Sequence, residues 1–543
     1  MWLLNATTLK LEYFLGSDVP PYTILSHTWG NEEVTFQDIT QGTASPKEGY
    51  TKLVKTCKVT LRNKITYTWI DTCCIDKTSS AELTESLNSM FQWYQKAQVC
   101  YVYLSDLKSG VALDGQNGLA QCRWFTRGWT LQELIAPQKI CFFDKEWICI
   151  GSKIRHSKIL SSLTSIDEDV LLGNGSLRGY PVATRMSWAA HRQTSRIEDL
   201  AYCLLGIFDV NMPLIYGEGS KAFRRLQEEI VKRSNDLTIF AWDEYNGDKL
   251  EQNLFAPSPG AFARSNGITP LDRADINPVF SLTNKGLRME EYRTIYKRTN
   301  KTNDSNPEVI SYSLLLGFTE SLYFWIPLSK VGPDILVRRG NLFSQVWDNQ
   351  EHVHVPVGTF YIEHDNFDHH NHTPSLQGNI LHVSRQESLS IGEVMPQSHW
   401  DDVRWLFFGQ LYGVTPPIMA ASCTISVGNT KFPIVLCVKF LNREPSCRIF
   451  HKQHNYCKEA GWLFNHKKLG PVVTWEDVEI HMPSISGFGN TVQVYDGAVA
   501  YSISATLTKS VVKDISNEEI YTLTLQINNL GRYLRVRREE EQD

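Results

Sequence analysis

Tyr67-Thr68-Trp69-Ile70-Asp71 and Val99-Cys100-Tyr101-Val102-Tyr103-Leu104, separated by a helical stretch at Glu82–Ala97, decide the fold of the first part of the chain. Both runs are rich in aromatic and β-branched residues, which suit a pleated surface. Neither alternates apolar with polar, so each reads as a strand covered on both faces. Between them Leu83, Leu87, Met90, Phe91 and Tyr94 recur at helical spacing. Buried strands alternating with helices indicate a parallel sheet with helices on both sides.

The pattern extends in both directions. Tyr22–Ser26 reads as an earlier strand, Lys52–Arg62 as a helix, Trp129–Ile135 as a short helix stopped by Pro137, and Ile140–Phe143 as another buried strand. Ser105–Ala120 is a loop bearing Gly and Asp. Residues 1–150 thus form an α/β domain. Residues 151–237 are expected as a helical extension, clearest at Arg196–Phe208 and at Ser220–Arg233, where Ala222, Phe223, Leu226, Ile230 and Val231 share a face. Beyond it, short strands with turn punctuation (Phe280–Leu282, Tyr312–Leu316, Leu322–Ile326, Gly358–Glu363, Ile434–Phe440, Ala498–Leu507) predict a sandwich- or barrel-like β-rich region. It divides into residues 238–390 and 391–543, the second being a further domain or a continuation, with Glu387–Trp400 as the junction. No internal repeat is visible.

With 543 residues the chain has room for two to four domains. A net charge of −5 argues against a general nucleic-acid binder. Most of the twelve cysteines lie in apolar runs and read as reduced, buried thiols. The start, Met1-Trp2-Leu3-Leu4-Asn5, lacks the basic segment of a signal peptide. The longest apolar candidate for a membrane span, Ser313–Leu328, is broken by Gly317, Glu320 and Pro327. A cytoplasmic address is the expectation.

Four clusters carry the residues with chemical potential: Leu25-Ser26-His27-Thr28-Trp29-Gly30; Trp69-Ile70-Asp71-Thr72-Cys73-Cys74-Ile75-Asp76-Lys77; Glu82 with Met90; and Arg123 through Leu134. Two of them follow predicted strands, and ligands of open parallel sheets bind outside the carboxyl ends of the strands. Taken in order, the clusters resemble the sequence blocks of the fungal heterokaryon-incompatibility (HET) domain over about residues 20–145. Arg196-Ile197-Glu198-Asp199 through Tyr216-Gly217-Glu218-Gly219 to Ala222-Phe223 and Leu226-Gln227 resembles the segment that commonly follows that domain, and Asn284-Lys285-Gly286-Leu287-Arg288 a phrase of its β-rich tails.

The resemblance implies fungal non-self recognition with cell death as output, and a flavodoxin-like sheet distantly similar to Toll/interleukin-1 receptor (TIR) domains. Many TIR domains cleave NAD⁺ with a glutamate in a Trp-x-x-x-Glu-Leu phrase. Trp129-Thr130-Leu131-Gln132-Glu133-Leu134 has that core, although Arg127 and Thr130 replace the Ser and Cys of the TIR phrase. By this resemblance Glu133 is the expected catalytic carboxylate and NAD⁺ the substrate, with no resident cofactor. Cleaving the nicotinamide–ribose bond builds oxocarbenium character, which a carboxylate near the ribose stabilises. Arg123 or Arg127 would hold the pyrophosphate, Trp29 or Trp129 would stack on a ring, and Ser26, His27, Gly30 and Asp71 would complete the substrate site. Self-association would complete activity, and an incompatibility partner protein is implied. The alternative is an adaptor without catalysis.

Each residue also has a structural reading. Trp69 and Trp129 suit a core, Glu133 a cap or salt bridge within its helix, His27 a structural histidine, Asp71 and Asp76 a turn or the cap ahead of the Glu82 helix, and Cys73-Cys74 buried thiols. Cys447, His451, His454 and Cys457 do not match a familiar zinc spacing, and the run from His364 to His372 reads as a polar loop, so no metal is expected.

Overall fold

A computed structural model describes residues 1–114, 118–244, 253–271, 279–289, 295–299, 309–347, 352–354, 359–363, 380–395, 397–409, 419–441, 444–451, 491–496, 499–511 and 519–532. The run 364–372, His454 and Cys457 lie outside these residues.

The first sheet contains β1 (Trp2–Asn5), β2 (Leu11–Tyr13), β3 (Tyr22–His27), β4 (Tyr67–Ile70), β5 (Val99–Tyr103), β6 (Ile140–Phe143) and β7 (Cys149–Ser152), in spatial order β2-β1-β4-β3-β5-β6-β7. β4, β3, β5 and β6 are mutually parallel. In chain order this core runs second, first, third, fourth, which is a flavodoxin-like arrangement. The order reverses between β3 and β5, so a crevice is expected at their carboxyl ends. All six residues of β3 are buried. The sheet is not wholly parallel: β1 pairs antiparallel with β4, β2 with β1, and β7 with β6. β1 has only four residues, with Leu3 and Leu4 buried, while the edges β2 and β7 have three and four residues, are partly exposed and lack the continuous apolar run that marks a central strand.

Helices α1 (Phe36–Gln41), α2 (Glu48–Arg62), α3 (Ser80–Lys96) and α4 (Thr130–Ile135) connect these strands. A buried threonine cluster seats α2. Thr60 Oγ1 lies 2.7 Å from Thr23 Oγ1 on β3, which in turn reaches Thr68 Oγ1 on β4 at 2.9 Å. The cap of α3 is Ser79, which accepts from the Glu82 backbone N–H at 3.3 Å, rather than Asp71 or Asp76. Asp76 instead closes the preceding turn on Thr78 and accepts from Gln37. Every residue of α4 is buried.

Short helices follow from Ser157 to Val231; the expected helix at Arg196–Phe208 is two pieces, Asp199–Tyr202 and Leu205–Phe208. The later strands form ten-, six- and four-stranded sheets. Among the described residues no ring of strand pairings closes into a barrel. Ile380–Val383 pairs in parallel with Glu519–Arg532, and Leu389–Met395, inside the expected junction, belongs to the four-stranded sheet. One apolar core is continuous from Leu3 to Ile362, and a second runs from Leu381 to Leu525. Among the described residues no helix is long and apolar enough to cross a membrane, and no disulfide is present.

Candidate functional site

Ser26 and His27 end β3, Asp71 follows β4, and Glu133 sits on α4 after the loop leaving β5, so three connections converge on one end of the sheet. Ser26 is fully buried and its hydroxyl donates to Glu133 Oε2. Trp124 Nε1 donates to the same Ser26 oxygen at 2.7 Å. Tyr94, from α3, donates to the Leu25 carbonyl at 3.2 Å, and its hydroxyl favours the ionised form of Glu133. The carboxyl is 7% exposed. Burial pushes its pKa up to about 7, helped by the negative charge of Asp71, while Ser26, Arg127 and Tyr94 pull the other way. A carboxyl poised near neutrality at the rim of a sheet is suited to electrostatic or acid–base work.

His27 is buried, and neither ring nitrogen has a hydrogen-bond partner. Its Nε2 stands 3.5 Å from Asp71 Oδ1 and 4.0 Å from Glu33 Oε2, close enough for charge interaction but not in bonding geometry. Burial, and then Lys52, Arg127 and Lys77, hold its pKa well below the usual histidine range against the opposing effect of Glu33. The ring is therefore neutral near pH 7, with unspent donor and acceptor capacity.

Over this interior lies Trp29, 42% exposed, whose Nε1 donates to Asp71 Oδ2 at 2.7 Å. Lys77 Nζ sits 3.8 Å from its ring centroid, and the Arg127 guanidinium 6.0 Å. Burial lowers the Lys77 pKa, against Asp71. Gly30 donates its backbone N–H to Glu33 Oε1 at 2.6 Å, and Lys52 Nζ meets the same oxygen at 2.6 Å. Burial disfavours the Glu33 charge, but His27, Gly30 and Lys52 outweigh it and hold its pKa down.

Residues near 192 brace the site from the helical segment. Gly128 N–H donates to Gln193 O at 2.8 Å, and Gln193 N–H to Thr126 O at 2.7 Å. Arg192 is buried, and its Nη1 donates to Arg127 O and to Thr130 Oγ1, each at 2.9 Å. Burial lowers the Arg192 pKa to about 10, while Cys203 and Glu133 oppose the shift.

Of the sequence-predicted residues, Ser26, His27, Trp29, Gly30, Asp71, Arg127 and Glu133 are thus linked in one cluster. Arg123 and Trp129 are placed elsewhere. Arg123 is exposed, with its backbone N–H on Asp106 Oδ2 at 2.8 Å, while the Trp129 indole acts on the Asp199 carboxyl of the helical segment, favouring its charge. Cys73 and Cys74 are buried thiols, and Trp69 is core. Among the described residues no group of His, Cys, Asp or Glu could hold a metal. Sequence reasoning missed Tyr94, Trp124, Lys77, Glu33, Lys52 and Arg192. Trp124 and Lys77 lie inside two of the quoted clusters; Glu33, Lys52 and Arg192 carry no local signal.

Residues 22–118 match the family model described as heterokaryon incompatibility protein (HET). The first part of this chain carries a HET domain. The match supplies β3, β4, α3 and β5, and so Ser26, His27, Trp29, Asp71 and Tyr94 of the site; Glu133 lies beyond it. Residues 221–254 match a domain of unknown function (DUF8212). The chain is 47% identical over 239 residues to the vegetative incompatibility protein HET-E-1 of Podospora anserina, covering 42% of this chain and 18% of that protein. The chain thus spans less than a fifth of the curated relative it matches. No solved structure matches this HET-domain chain.

Proposed function

We propose that this chain is an effector of fungal non-self recognition whose HET-bearing α/β unit, residues 1–150, hydrolyses NAD⁺ when chains cluster. The observation that carries the reading is Glu133: a buried carboxyl with its pKa raised to about 7, at the carboxyl ends of the strands beside the point where strand order reverses. In the reaction the bond from ribose C1′ to the nicotinamide nitrogen breaks, and nicotinamide leaves with the electron pair. Water adds to C1′ and releases a proton, giving ADP-ribose. Ionised Glu133 stabilises the positive ribose as that bond lengthens. Neutral His27 orients a hydroxyl of the substrate. Trp29 offers a stacking face, with Lys77 and Arg127 beside it for phosphate oxygens. Glu133 is nearly enclosed, so the residues over it must part to admit a ribose; we assign that opening to self-association. The regions after residue 150, divided at 237 and 390, are assigned bracing and then recognition of an incompatibility partner, with the protein acting in the cytoplasm.

The same enclosure favours a second reading. Glu133 is engaged by Ser26, which also holds Trp124, as a structural carboxyl would be. Under that reading the unit is an adaptor that kills through protein contacts. Expression in a fungal host separates the two. The hydrolase reading predicts that killing coincides with loss of cellular NAD⁺ and that Glu133→Gln, expressed at equal level, abolishes both. Killing by Glu133→Gln with NAD⁺ intact would establish the adaptor instead.

A further inference from the structure

A cleft about 410 Å³ in volume opens among α3, the end of α4 and the Ala136–Gln138 segment after it, and helical residues between Val170 and Asn211. That is the size of a small-molecule site. Two buried cations line it, Lys153 at 1% exposure and Arg185 at 8%. Lys153 Nζ donates to Pro137 O at 2.6 Å and to Leu134 O at 3.3 Å, which leaves one of its three donors unspent. Arg185 donates Nη1 to Ile207 O at 3.1 Å and packs over the Phe208 ring, while its Nε is buried without a hydrogen-bond partner.

Among the described residues neither cation is in ion-pair contact with a carboxylate, although the charge of Asp236 acts on Arg185. Asp236 gives its oxygens to the Val182 and Thr238 backbone N–H groups. At the rim Arg178 Nη2 pairs with Asp209 Oδ2 at 2.6 Å. The lining therefore holds three cations and one carboxylate. Burial of a cation without an ion-pair contact is costly, and an anion in the cleft offsets that cost. Capping chain carbonyls accounts for the ordered positions of Lys153 and Arg185, but not for two buried cations without an ion-pair contact in the lining of one cavity. Gln92, Gln138 and Asn211 add neutral hydrogen-bonding groups around the charge.

We infer that this cleft binds a small organic phosphate, with Lys153 and Arg185 as the anion-holding pair, Arg178 at the entrance and the amides on the rest of the ligand. The site is independent of the role of Glu133. The full chain is titrated calorimetrically with AMP, and with adenosine as the uncharged control. AMP is expected to bind once per chain and adenosine not at all. Gln92→Glu and Arg178→Glu, both at exposed positions, are each expected to weaken AMP about tenfold by placing a carboxylate at the phosphate. Both variants are expected to stay folded, as far-UV circular dichroism checks, and Glu133→Gln binds AMP as the parent does. Absence of AMP binding up to about 10 mM overturns the inference, as does equal binding of adenosine, or AMP binding that Gln92→Glu leaves unaltered.

Discussion

Glu133 and His27 are buried neighbours of Asp71, yet they favour uncharged forms by opposite proton bookkeeping. Burial raises the Glu133 pKa to about 7 from an ordinary 4.5, so the folded chain holds a proton that the unfolded chain releases. Its contribution to stability is therefore greatest below pH 4.5, falls as pH rises through 7 and then levels, a loss on the order of 3 kcal/mol. Glu133→Gln should remove that fall, so its urea-derived stability exceeds the parent's at pH 8 and matches it at pH 4. The same ionisation governs catalysis in the hydrolase reading. Because the charged carboxylate stabilises the ribose cation, kcat/KM for NAD⁺ should rise with pH through about 7 and then plateau, measured by nicotinamide release across a buffer series. Residues at this scale were legible where chemistry is local to a strand end: Ser26, His27 and Asp71 follow apolar runs directly. Arg192 was not legible, because it is buried against Arg127 and Thr130 from a distant helical segment, and no periodicity encodes that contact.

Among the elements, α4 most directly sets the site. Its six residues are all buried, and Thr130 at its start donates to the Trp124 and Arg127 carbonyls, at 2.5 and 2.9 Å, while accepting from Arg192. Thr130→Val keeps the shape but strands a buried guanidinium donor. It should cost about 1–3 kcal/mol, read as a lowered urea midpoint with an unchanged slope. The central strands and α2, α3 and α4 were readable within a few residues because continuous apolar runs and helical spacing mark them. The edges β2 and β7 were not, since short half-exposed strands carry neither signal, and the apolar run of β1 is too short to decide between strand and helix. Trp129 shows the limit of reading a short buried helix: its sequence position fits either side, and its indole acts on Asp199 of the helical segment.

Across the whole molecule, the HET-bearing sheet is embedded in a core that continues through the helical segment into the ten-stranded sheet. The parts before and after residue 150 therefore share packing, which gives later residues such as Arg192 direct purchase on the site. Regularly spaced short apolar runs with turn punctuation made the β-rich character of the remainder legible, but not its strand pairing. Contacts such as Ile380–Val383 on Glu519–Arg532 join segments far apart in the chain and depend on register rather than local pattern. The central claim, that the Glu133 carboxyl meets a ribose once chains associate, is tested most directly on purified full-length protein carrying an inducible clustering tag. Free nicotinamide is quantified by chromatography after incubation with NAD⁺, for the parent and for Glu133→Gln. The account predicts release that rises with clustering and is lost in Glu133→Gln while the fold is retained. Equal release from Glu133→Gln, or no release from the clustered parent under conditions in which it kills, would contradict it.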